Sequence, residues 1–98
     1  MEEDQARIRW ERIRLGENTM GPWYARLPAR DGVCFATVSE CMDKSRWLIN
    51  LFPKGKDVGM WSCYVPTGEK GRVWIERWTR HHWQSVVQPA PSSRPGTN

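Results

Sequence analysis

The stretch RVWIERWTRHHW, residues 72–83, decides how this chain is read. Three of the seven tryptophans fall within it, interleaved with arginines and followed by a histidine pair. Read with period two, Val73 and Ile75 share one face, and Arg72, Trp74, Glu76, Trp78 and Arg80 share the other. Read with period 3.6, Trp74, Trp78, His81 and Ser85 form one stripe, with Trp83 behind it. The two branched residues favour the extended form. The expectation is a strand to about residue 78, followed by a helical turn or short helix over 79–87.

Working outward, turn signals recur at short intervals: GENTMGP (16–22), PARDG (28–32), SECMDKS (39–45), PKGKDVG (53–59) and PTGEKG (66–71). Gly, Pro, Asp, Asn and Ser supply the backbone angles that turns require. Runs rich in Val, Ile, Trp, Tyr and Phe lie between them, over 6–15, 23–27, 33–38, 46–52, 60–65 and 72–79. Short runs at this spacing predict an all-β chain. It is an antiparallel meander of five to six strands forming a barrel or sandwich, with room for one short helix within 39–52 or 79–87. WLINLF (47–52) is almost continuously apolar, as a central strand is. A helix through the same run, capped by Ser39 and stopped by Pro53, is the alternative.

The segment ARIRWERIRL (6–15) fits a strand once one extra residue is placed near Glu11 and Arg12. Ile8 and Trp10 then share a face with Ile13 and Leu15, which is the phase correction a β-bulge makes. All four of its arginines point outward in that reading. WERIR (10–14) and IERWTR (75–80) echo one another. Antiparallel pairing of the two sets Glu11 opposite Arg77 and Arg12 opposite Glu76, so the first and last strands meet and close the sheet.

Ninety-eight residues make one domain. Residues 1–87 are expected to form it. The tail 88–98, QPAPSSRPGTN, has three prolines and almost no apolar side chains, so it is expected to be disordered. No 18-residue apolar run exists, and MEEDQ at the start is too acidic for a secretory or mitochondrial leader. A cytoplasmic protein is the expectation. Cys34, Cys41 and Cys63 are odd in number and widely spaced, which suits free thiols in a reducing compartment. No cofactor and no metal is expected, since no cysteine–histidine spacing resembles a zinc site.

A catalytic set is hard to assemble. His81 and His82 are the only histidines, the carboxylates are scattered in turns, and GEKG (68–71) lacks the spacing of a phosphate loop. An enzyme is not expected. The charge layout points elsewhere. Net charge is +4, and eleven of the fifteen cations are arginine. Residues 5–15 and 70–80 each carry +3, which leaves −2 for the rest. Arginines that track phosphates beside aromatic rings that stack on bases make a single-stranded nucleic-acid surface. The expected contacts are Arg7, Arg9, Arg12, Arg14, Arg72 and Arg80 on phosphates, with Trp74 and Trp78 stacking. If those tryptophans belong to the core instead, only a solvated arginine rim remains. The alternative is a protein-binding module, since Trp and Arg also dominate protein hot spots. Trp23 and Tyr24, or Trp74 and Trp78, would grip an acidic protein surface. A phage or mobile-element inhibitor or adaptor that blocks a larger host complex has this size and character.

Overall fold

The computed structural model describes residues 5–87; the tail expected to be disordered lies outside them. Five strands form one antiparallel sheet in sequence order: β1 (Arg9–Arg14), β2 (Met20–Leu27), β3 (Val33–Glu40), β4 (Trp47–Leu51) and β5 (Trp61–Val65). The run at 47–52 is therefore a strand. One helix, α1 (Gly68–His82), follows. The meander is as expected, but the sheet is open, neither a closed barrel nor a sandwich. The residues read as a sixth strand are the body of α1 and cover the sheet rather than extend it. Among the described residues, no helix is long and apolar enough to cross a membrane.

The correction has a local cause. Thr67, in an extended conformation, accepts a hydrogen bond from the Lys70 N–H through Oγ1, at 3.1 Å. That is an N-cap, so PTGEKG starts a helix as well as ending a strand. Glu69 in the first turn and Arg80, His81 and His82 in the last suit the helix dipole. The buried stripe is Gly68, Gly71, Ile75 and Thr79, at helical spacing and small apart from Ile75. Thr79 Oγ1 donates to the Ile75 carbonyl at 2.7 Å, so its hydroxyl is satisfied inside the core. The tryptophans flank this stripe and do not form it.

Strand register sorts the side chains into two faces. Trp23, Val38, Ile49 and Cys63 lie in one cross-strand row, and Ala25, Ala36, Leu51 and Trp61 in the next. These rows face α1. Gly71 leaves no room for a side chain against Val38, Val65 and Ile49, and Gly68 leaves little against the Trp47 ring. The other face carries the row Glu11, Tyr24, Thr37, Asn50 and Ser62. Ser62 Oγ donates to Asn50 Oδ1 at 2.6 Å, and Asn50 Nδ2 donates to Thr37 Oγ1 at 3.4 Å. One face is apolar and covered; the other is polar and open.

Two irregularities tune the sheet. The β2–β3 register shifts so that Ala25 pairs with Ala36 while Arg26 pairs with Cys34. Phe35 is the extra residue, and both it and Ala36 enter the core. In the β1–β2 ladder Arg12 pairs with Trp23 and Arg14 with Met20, so the extra residue lies in β2, at Gly21–Pro22, and not in β1 where it was expected. It does not turn all four arginines outward. Arg12 lies on the helix side, opposite Trp23, while Arg9 lies on the open face opposite Arg26.

Candidate functional site

The helix has two flanks, set by which residues border its buried stripe. Arg72, Glu76 and Arg80 border it toward β1 and β2. Trp74 and Trp78 border it toward β5. The residues expected to act together are therefore divided.

On the β1 flank two guanidinium groups converge on one indole. The Arg72 guanidinium carbon lies 4.4 Å from the Trp23 ring centroid and that of Arg12 lies 5.0 Å from it. Arg12 also lies 5.9 Å from the Trp47 ring, and its Nε donates to the Gly21 carbonyl at 3.1 Å. Such contacts contribute about 0.5–2 kcal/mol each and fix the planar group in direction. Arg72 Nε is buried with no hydrogen-bond acceptor among the described residues, so the ring face stands in for one. Trp10 meets Trp23 edge-on, with centroids 6.4 Å apart, and its Nε1 donates to Glu76 Oε2 at 3.0 Å. Next to this pair is a cleft of about 400 Å³ lined by Ala6, Arg7, Ile8, Glu76 and Arg80.

Arg7, Arg12, Arg72 and Arg80 thus come from both ends of the sequence to one surface. The two basic segments do meet, but by helix-on-sheet packing. Glu11 does not face Arg77, and Arg12 does not face Glu76. Glu11 accepts from Arg26 Nε at 2.7 Å and lies 3.4 Å from Arg9 Nη2. The Arg26 hydrogen bond, ahead of its charge and that of Arg9, holds the Glu11 carboxyl below the usual glutamate range. Arg9 is thereby engaged on the open face. Arg14 Nη1 donates to the Glu17 carbonyl at 3.3 Å and belongs to the β1–β2 turn.

On the β5 flank, Trp74 lies flat on Trp61, with centroids 4.9 Å apart and planes 11° apart. Trp78 stacks on Phe35 at 6.1 Å and lies 5.0 Å from the His82 ring. Both are half-buried and pack against the core cluster. A groove of about 550 Å³ runs beside them, lined by Leu51, Pro53, Met60, Trp61, Trp74 and Trp78. A second, of about 560 Å³, lies between Thr67, Glu69, Lys70, Val73, Trp74 and Arg77.

A further cavity of about 650 Å³ opens on the other face of the sheet, among Tyr24, Arg26, Cys34, Thr37, Lys54 and Lys56. Burial pushes the Cys34 thiol up from its ordinary value. The sheet separates Cys34 from the helix that carries His81 and His82. Cys63 packs against the core on the helix side. All three cysteines are free thiols.

Trp23 is the residue that organises the arginines, and the sequence flags it only as an aromatic after a Gly-Pro turn. Its pairing with Arg12 follows from the hairpin register. Its contact with Arg72 needs the helix. Trp61, which occupies one face of Trp74, carried no signal beyond strand composition. No protein-family model, curated protein or solved structure matches this chain.

Proposed function

We propose that the protein is a non-enzymatic binding module that holds nucleic acid by its phosphates, across the surface between β1 and α1. The observation behind this reading is the convergence of Arg12 and Arg72 on Trp23, with Arg7 and Arg80 lining the adjoining cleft. A guanidinium held over an indole is fixed in position, and its terminal NH2 groups remain available to phosphate oxygens. It also has little rotamer freedom left to lose on binding. The one carboxylate in the cluster, Glu76, is already hydrogen-bonded by Trp10. Trp74 and Trp78 take no part in this contact. One face of Trp74 is occupied by Trp61, and both tryptophans lie on the flank away from these arginines. Arg9 and Arg14 are left out for the contacts described above. The recognition is then of backbone charge, which single and double strands share.

The test is anisotropy of a labelled mixed-sequence 20-mer, single- and double-stranded, over a salt series. Three to four phosphate contacts give a slope of log affinity on log salt of roughly −2 to −4. Arg7→Gln with Arg80→Gln is expected to make that slope shallower by about 1–2 while the protein stays folded. No binding to either strand form at low salt would overturn the proposal and leave an acidic protein surface as the partner these cations suit.

A further inference from the structure

The two edges of the sheet differ in kind. β1, RWERIR, carries Arg9, Glu11, Arg12 and Arg14 and pairs with β2 through a register shift. Charge and irregularity are the usual guards against edge-to-edge pairing. β5, WSCYV, has neither charge nor proline nor bulge, and it pairs with β4 in unbroken register. Among the described residues, its far side meets no other strand. Exposed apolar side chains also gather there: Met60 and Trp61 are each 48% exposed, Tyr64 55% and Val73 39%.

We infer that β5 is a dimer seam, at which two copies of this chain pair antiparallel about a two-fold axis through Cys63. The inference is independent of the nucleic-acid reading. The strand is self-complementary in that register. Trp61 falls opposite Val65 of the second copy, an aromatic facing a β-branched residue, and Ser62 falls opposite Tyr64. No charged residue faces another within the seam. Antiparallel pairing also sets Met60 of one copy level with Pro66 of the other. There the groove between Thr67, Lys70, Val73 and Trp74 opens, and an unbranched thioether suits it. The two-fold axis puts both helices on the same side of a ten-stranded sheet. Each Trp61–Trp74 stack then stands beside the seam.

The area fits a modest interface. The exposed parts of Met60, Trp61, Tyr64 and Val73 supply about 300–400 Å² per copy, taking about 150–250 Å² for a whole aromatic. The strand backbone, Ser62, Pro66, Thr67 and the stems of Arg46, Lys70 and Arg77 add a similar amount. The total approaches about 1,200 Å², the lower limit of stable interfaces, which suits a dissociation constant roughly in the micromolar range.

The test is sedimentation velocity of the full chain in reducing buffer, from about one to several hundred micromolar. A shift from monomer to dimer across that range is expected. Ser62→Lys with Tyr64→Lys places lysines directly opposite one another twice by symmetry. Both side chains lie on the open face, away from the core, and circular dichroism confirms that the variant is folded. It is expected to weaken the dimer at least tenfold, whereas Ile13→Lys on the β1 edge leaves it unchanged. Amide exchange over Trp61–Val65 is expected to slow as concentration rises. A monomer at every concentration, or a dimer lost through Ile13→Lys and not through the β5 variant, overturns the inference.

Discussion

Gly71 shows how little room separates α1 from the sheet. A Cβ built there would lie 2.8 Å from Val38 Cγ1 and 3.3 Å from Val65 Cγ2. Val38 is fully buried and has nowhere to go. Overpacking of this kind costs about 1–3 kcal/mol, while replacing a helical glycine by alanine returns about 1 kcal/mol. Gly71→Ala is therefore expected to lower stability by about 1 kcal/mol in urea unfolding, with Val73→Ala, at an exposed helical site, close to neutral. Glu11 gives a second prediction at this scale. Its carboxyl titrates below the ordinary glutamate value because Arg26 donates to it. A depressed folded-state value stabilises above the unfolded value, and the contribution is lost as pH falls through the folded one. Carboxyl NMR is expected to show Glu11 titrating low in the wild type and near the ordinary value in Arg26→Gln. The wild type is then expected to lose its advantage over that variant below about pH 5.

At the level of elements, the helix start is the feature most open to a single change. Thr67→Ala removes the acceptor for the Lys70 N–H and is expected to cost about 0.5–2 kcal/mol, read from the denaturation midpoint. The same segment shows what the sequence made legible and what it did not. The five strands lie within or close to the five apolar runs before residue 66, because period-two burial and turn residues are both local signals. The helix reads as a strand because Val73 and Ile75 fall at period two, with Arg72, Trp74 and Glu76 on the other face. Ile75 apart, its buried stripe is built from Gly68, Gly71 and Thr79, residues that no hydrophobic pattern marks. The phase of Ile8 and Trp10 against Ile13 and Leu15 points to an extra residue in β1, but the register shift there comes from β2, and Ile13 and Leu15 are exposed instead. The bulge at Phe35 was not legible, since both of its residues are buried and leave no phase error.

For the whole molecule, charge is the property that survived from sequence to structure. The two basic segments were expected to lie together and do, through side chains of α1 that reach across to β1 and β2. Which arginines share the surface was not legible, because that depends on the rotation of a helix that had been read as a strand. The same rotation separates Trp74 and Trp78 from Arg12 and Arg72, and this yields a discriminating experiment. Trp23→Ala removes the ring on which two guanidinium groups rest and is expected to abolish most salt-sensitive oligonucleotide binding. Trp74→Ala is expected to leave that binding intact. The opposite pattern in the anisotropy titration would restore base stacking at Trp74.

The order of the elements has a consequence for how the protein is made. All five strands precede the one element that covers them. At synthesis rates of about 5–20 residues per second, the helix is completed about one to three seconds after β5. The helix is also the last of these elements to leave the ribosome, and until it does the core residues of the strands already emerged have no lid. Neighbouring nascent chains on one message would meet through the same surfaces that the finished protein buries or pairs.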